Sequence, residues 1–388
     1  MKRTDFSVDW LFAACAPDTE LLPWNAQFTP VDLPHDWQIR HADDLYRDGT
    51  LFYRKYFFVT DVPGTRRMLW FGGAYMDTTV FVNGTEVGQW KYGYTSFWFD
   101  ITDALHEGQN EVLVRCNLRH PNSRWYSGAG LYRNVELWEA PDLHLMPDGL
   151  YVAAKEGDNG AWTVAVTAEA GSVTAASTGR TLTLHLTDDN GSLLGTAAIP
   201  ADAWAALPSP DGWRTGKETA IYKASHTFTL QDPALWDLDA PSFYHITAEL
   251  TGADGVTDTL TTRFGCRTIE ATPDCGLLVN HKRVLIKGVC IHHDFGCLGS
   301  AFEYSAAKRQ LEILKSMGVN SIRTGHTPPA PQFMDLADEM GILMDVESFD
   351  CWRSGKNPYD YGRFFDKWQE KDVAAWVRRD RNHPSLLF

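Results

Sequence analysis

Three rhythms of hydrophobic and polar residues follow one another along the chain. From residue 1 to about 140, short β-type runs alternate with turn signals: Phe52 to Val59, Met68 to Phe71, Thr78 to Val82, Phe97 to Ile101 and Val112 to Cys116. Asn83-Gly84 closes a hairpin after the third run, because both residues tolerate the positive φ such a turn requires. Strands at this spacing, with no convincing amphipathic helix between them, predict an antiparallel sandwich or jelly roll. From about 141 to 268 the pattern stays β. Thr181 to Thr187 alternates strictly, so one face is buried and the other wet. Further strands are expected at Trp162 to Ala168, Tyr222 to Leu230, Tyr244 to Leu250 and Leu260 to Phe264, with a turn at Asp189-Asn190-Gly191 and a loop over Ala170 to Gly179. About seven such strands predict an immunoglobulin-like β-sandwich.

From about 269 to 388 the period changes. Arg283 to Val289 reads as a buried strand. Ser305 is placed to cap a helix whose Ala307, Leu311, Leu314 and Met317 share one face, and Gly318 ends it. Val319 to Arg323 is a second strand. Pro331 opens a helix carrying Phe333, Leu336, Ala337 and Met340, stopped by Gly341. Ile342 to Val346 is a third strand, Phe364, Phe365, Trp368 and Trp376 mark a third helix, and Ser385 to Phe388 starts a fourth strand. Strand, polar tip, helix, repeated, is the build of a (β/α) barrel, in which residues just past each strand converge on one pocket. The three tips are His292-His293-Asp294, Arg323-Thr324-Gly325-His326 and Glu347-Ser348-Phe349-Asp350-Cys351-Trp352.

Composition narrows the classes. A net charge of −15 without a basic block disfavours nucleic acid and anionic membranes as partners. Seven Cys, an odd number with no Cys-x-x-Cys, suggest reduced thiols in a cytoplasmic protein rather than a disulfide frame or zinc ribbon. Asp5 and Asp9 interrupt the N-terminus too early for a signal segment, and no run reaches transmembrane length. Asn83-Gly84-Thr85 and Asn190-Gly191-Ser192 match glycan acceptors but read better as hairpin turns. Fifteen Trp either line carbohydrate sites or fill sandwich cores.

On the rim formed by the three tips, two chemistries compete. His292 or His293 with Asp294 and His326 would bind a divalent ion, although adjacent His on an extended segment tend to point apart. Alternatively the rim holds a sugar: His and Asp bond hydroxyls, Arg orients a carboxylate and Trp stacks on the ring. The plain structural reading is that Arg323 and Glu347 merely pair inside the barrel. In the first region, Arg124 to Arg133 joins a cation, aromatics and a Gly-rich turn, able to stack on a sugar or to pack against a neighbouring domain.

Several strings, in this order along the chain, resemble glycoside hydrolase family 2, the family of β-galactosidases and β-glucuronidases. They are Leu33-Pro34-His35-Asp36-Trp37, Trp125 to Arg133, Lys287 to Asp294, Ile322 to Pro329, Glu347 to Asp350 and Arg379 to Pro384. The N-terminal strings are more similar to the β-galactosidase branch. The resemblance implies a multidomain β plus α/β chain: a galactose-binding-like jelly roll (1–140), an immunoglobulin-like β-sandwich (141–268), and the first three βα units of an incomplete TIM barrel (269–388). It implies that His292 contacts the sugar, Arg323 orients the nucleophile, and His326 binds sugar or stabilises the transition state. Asp294, Glu347 and Asp350 would line the pocket, with Trp352 on the same rim. Gly325-His326-Thr327 stands where the family often has Ser-His-Asn or Ser-His-Tyr, which alters the neighbouring loop contacts.

The family's acid/base Glu ends the strand after His-Pro-Ser, and its nucleophile Glu comes several strands later. Residues 1–388 contain neither. The expectation is therefore a retaining β-glycosidase, β-galactosidase first, present as an N-terminal fragment with no catalytic residue of its own and inactive alone. The alternatives are a non-catalytic carbohydrate-binding or assembly module and, among enzymes, a β-glucuronidase or β-mannosidase. The expected partner is a β-galactoside-type carbohydrate. No cofactor is expected, with a divalent cation and homo-oligomerisation left open for a full-length enzyme.

Overall fold

The computed structural model describes residues 1–41, 43–60, 64–173, 180–207, 216–252, 255 and 257–388. In the first region the aromatic-rich strands form two facing antiparallel sheets. One has six strands, in the order Thr29–Val31, Trp10–Cys15, Gly49–Val59, Gly108–Leu118, Thr78–Val82, Thr85–Trp90. The other runs Lys2–Asp5, Val135–Pro141, Thr65–Phe71, Phe97–Asp100. Alternate residues of both, among them Trp10, Tyr53, Phe71 and Val112, make one core. All the expected strands are present, and the Asn83-Gly84 hairpin turn has φ of 50° and 79°.

The middle region is a second sandwich. One sheet contains His144–Glu156, Ala161–Ser172, Ala220–Gln231 and the short Ala205–Ala206; the other contains Leu193–Pro200, Thr181–Asp188, Tyr244–Thr251 and Thr257–Phe264. Leu182, Leu184 and Leu186 point into its core, as strict alternation requires. The loop expected over Ala170 to Gly179 is corrected in part. Ala170–Ser172 continue a strand paired with Ala220–Tyr222, and 174–179 lie outside the described residues.

In the third region, a small antiparallel meander (Ile269–Thr272, Gly276–Val279, Lys282–Arg283) leads into three parallel strands, Gly288–Ile291, Ser321–Thr324 and Leu343–Val346. Among the described residues this sheet is open and closes no barrel. Helices Tyr304–Ser316 and Pro331–Met340 connect the strands, and Phe365–Asp380 follows the third. Ser385 to Phe388 lies parallel to that third strand. Met344 N donates to Ser385 O at 2.8 Å, and Val346 N to Phe388 O at 3.0 Å.

Three expectations are corrected here. Arg283 to Val289 is not a buried strand: Leu285 is 71% exposed, and the chain joins the parallel sheet only at Gly288. The Asn320 amide holds the preceding backbone instead, accepting from Lys287 N and donating to Leu285 O. The N-cap of the first barrel helix is Glu303, with no side-chain cap, rather than Ser305. Met317 sits at that helix's C-cap and is solvent-exposed, so it does not share the buried face of Ala307 and Leu311.

The segment Arg378 to His383 ties the third region to the other two. Arg378 forms a bidentate ion pair with Glu169. Arg379 donates to Ser96 Oγ, and Arg381 to Asp148 O at 2.7 Å. Asn382 accepts from Val152 N and donates to Leu150 O. Single bonds of this kind stabilise by about 1 kcal/mol net, and more when one partner is charged.

Candidate functional site

The period of two in a strand sends alternate side chains to one face. In the parallel register Cys290, Arg323 and Asp345 lie side by side, and two residues further on stand His292 and Glu347. Arg323 is thus aimed at its neighbours' tips. Its Nε donates to Glu347 Oε1 at 2.5 Å, and its Nη1 contacts Cys290 Sγ at 3.5 Å. The other carboxylate oxygen of Glu347 bonds His326 Nδ1 at 2.5 Å. Arg323, His326 and Glu347 therefore form one network, and the plain pairing of Arg323 with Glu347 is what the geometry contains. Burial, with the Glu347 charge adding to it, raises the Asp345 carboxyl.

His292 and His293 point apart. His292 Nδ1 bonds the Gly325 carbonyl, and its ring faces the rim. His293 is packed between Tyr94 and Tyr132 and its Nε2 donates to Ser127 O at 3.0 Å. Burial drives His293 down to about 3, so it stays neutral. The His-His-Asp-His set weighed for a metal is thereby divided between two faces.

The loop Ser123 to Leu131 of the jelly roll closes the rim. Trp125 lies flat on His292, with centroids 4.8 Å apart and planes 7° apart, and meets His326 edge-on at 5.5 Å. Arg124 forms a fork with Asp350, and Lys356 Nζ reaches the same carboxylate at 2.7 Å. Burial works to raise Asp350, but the hydrogen bonds from Arg124 and Lys356 outweigh it and hold the carboxyl at about 2. Trp352 packs against Phe349 and Phe365 yet leaves 58% of its surface open. Asp294 makes no hydrogen bond or ion pair with the described residues.

The loop is held by Asp36, from the Leu33 to Trp37 string. This buried carboxylate accepts from Ala129 N at 3.0 Å, Tyr126 Oη at 2.6 Å and, across the domain boundary, Ser300 N at 2.8 Å. Gly128, at φ 67°, passes so close to Ser300 that any Cβ would overlap its hydroxyl. Tyr92 Oη donates to Ser348 O, and Asp372 of the third helix accepts from Thr95 and Tyr361, fixing the third tip against the same domain.

The geometry thus brings together His292, Arg323, His326 and Glu347, and sets Asp350 beside them through Arg124. Trp125 and Arg124 belong to the string that was open to either a sugar-stacking or a domain-packing reading; they pack on the barrel rim. Cys290 and Asp345 went unremarked in the sequence, although the period of two from His292 and Glu347 points to both.

Comparisons with known proteins agree in each domain. Residues 23–141 match the model for the sugar binding domain of glycosyl hydrolases family 2. Residues 148–267 match the model described as glycosyl hydrolases family 2, and residues 271–388 match that family's TIM barrel domain. A β-galactosidase of Bacteroides ovatus, BoGH2A, is 35% identical across 100% of this chain and 46% of its own length. A putative β-glucuronidase of Formosa agariphila is 32% identical across 99% of this chain and 37% of its own length. The crystal structure of a glycosyl hydrolase family 2 member from Bacteroides cellulosilyticus superposes with a TM-score of 0.87 at 29% identity, covering 100% of this chain and 51% of that one. The chain spans about half the length, or less, of these relatives. With successive models of one family matching residues 23 to 388 in order, the chain belongs to glycosyl hydrolase family 2.

Proposed function

We propose that the rim is the sugar-holding wall of a retaining β-glycosidase whose preferred substrate is a neutral β-galactoside. The observation that carries this reading is Trp125 lying flat on His292 above the Arg323–His326–Glu347 network. It sets an aromatic surface beside several hydrogen-bonding groups, the combination that grips a sugar ring. His292 and His326 meet hydroxyls, and Arg323 orients carboxylates. Asp294, with no hydrogen bond or ion pair among the described residues, accepts from a further hydroxyl, and the open face of Trp352 borders the mouth.

Charge favours a neutral sugar over a uronate. Arg124 and Lys356 are both spent on Asp350, and Arg323 on Glu347. A sugar carboxylate would have to displace one of these pairs. Isothermal titration of the chain with phenyl β-galactoside and phenyl β-glucuronide tests the preference. Tighter binding of the galactoside is expected, weakened about tenfold in Trp125→Ala by loss of the aromatic surface. Tighter binding of the glucuronide would overturn the reading.

Retaining hydrolysis needs two carboxyls roughly 5 Å apart, one protonated to release the leaving group. Glu347 is tied to Arg323 and His326, and Asp350 at about 2 holds no proton to give near neutral pH. Residues 1–388 alone are accordingly expected to release no nitrophenol from nitrophenyl β-galactoside above a protein-free blank. Measured turnover would refute this assignment of roles.

A further inference from the structure

A cleft of about 400 Å³ opens away from the rim, where the three regions meet. Its walls include Arg3 and Glu136 of the jelly roll, Asp148 and Arg263 of the second sandwich, and Gln332 and Asp335 of the second barrel helix. Asp148 is the odd residue. It sits in the register shift between Leu145 and Leu150, with a left-handed φ of 54°. Bulges of this kind re-aim a side chain. The Asp148 main-chain carbonyl is taken by Arg381, but its carboxylate has no hydrogen bond or ion pair among the described residues. Burial raises that carboxyl, while Arg3, Arg379 and Arg378 act against the shift from beyond bonding distance. Arg3 lies over Trp138 at 4.5 Å, and its guanidinium makes no hydrogen bond among the described residues. The Gln332 amide likewise has no hydrogen bond among the described residues.

An acceptor, a multiple donor and an amide that is both are thus left open by three different domains toward one volume. Small-molecule sites favour domain junctions and volumes of roughly 300–1,000 Å³. We propose that this cleft is a second, non-catalytic ligand site for a neutral polyhydroxylated molecule of monosaccharide size. Such a ligand gives hydroxyl protons to Asp148 and Asp335 and accepts from Arg3 and Gln332. An anion would meet the two carboxylates, and a cation would meet Arg3 and Arg263. A metal ion is the competing occupant, since ligand atoms of Asp335, Asp338 and His383 lie within 4.8 Å of one another. That set is already spent: Asp338 accepts from Ser385 N at 3.0 Å and His383 Nδ1 at 2.6 Å, and Asp335 faces Arg263. The inference does not depend on the reading of the rim.

The test uses crystals of the chain soaked with a selenium-labelled methyl galactoside, and titration of the chain with galactose. An anomalous peak within hydrogen-bonding distance of Asp148 or Asp335 is expected. Asp148→Asn, which keeps the left-handed backbone acceptable, should weaken the cleft's affinity about tenfold, while Arg323→Ala leaves it unchanged. A peak on the rim alone, or a cleft peak that Asp148→Asn does not weaken, would overturn the proposal. So would Mn²⁺ binding on Asp335, Asp338 and His383 with no sugar density beside them.

Discussion

At the scale of single residues, the rim is governed by which charges are already satisfied. Asp350 is the clearest case, because Arg124 and Lys356 converge on it from two domains. Its folded carboxyl, at about 2, lies below the ordinary unfolded value of roughly 3.9. The resulting stability is present above about pH 4 and is lost as pH falls through about 2. Allowing for solvent screening of a partly open cluster, Asp350→Asn should destabilise the chain by about 1 kcal/mol at neutral pH. Denaturant melts at neutral and acid pH should show the difference vanishing below about pH 2. A difference that persists there would mean packing, not charge, holds this tip.

At the scale of elements, the jelly-roll loop is the component that turns three strand tips into a wall. Gly128→Ala should dislodge it, since φ is 67° and the added methyl would overlap Ser300. The cost is expected to be about 2–3 kcal/mol, read from denaturant melts of the variant beside the parent chain. The sequence revealed this partly. Thr181 to Thr187 showed its strand because Leu182, Leu184 and Leu186 alternate cleanly into a core. His144–Glu156 was missed because Pro147, Asp148 and Gly149 interrupt the alternation at a bulge. Leu193–Pro200 was missed because Leu193 and Leu194 are largely exposed on an outer strand. The tips themselves were legible, since each follows an apolar strand. Their link to Trp125 was not, because stacking between residues 125 and 292 is a consequence of domain docking that no local period encodes.

At the scale of the molecule, the end of the third helix joins the domains through Arg378 and Asn382, while His383 braces that end inside the third region by its bond to Asp338. Burial opposes charge on His383, but Asp338 and Asp380 outweigh it and lift the imidazole to about 9. A raised folded value means the stabilisation is complete below the unfolded value of roughly 6.5 and is lost as pH rises through about 9. Thermal melts from neutral to alkaline pH should therefore show a loss of about 2–3 kcal/mol, absent in His383→Gln. An equal loss in the variant would assign the effect elsewhere.

The position of these anchors along the chain also sets a timetable. Both sandwiches have their last strand in hand by Phe264, yet the segment that clamps them, Arg378 to His383, is made more than a hundred residues later. At ribosomal speed that interval is roughly 6–25 seconds. During it, the two finished β-domains have only their own direct contacts, among them the Met1 amino group on Asp258 and Lys217 on Asp103, to hold their mutual orientation. The clamp then arrives with both its surfaces already folded, so a slowly translated stretch between Gly265 and Glu370 would favour correct assembly over premature contact.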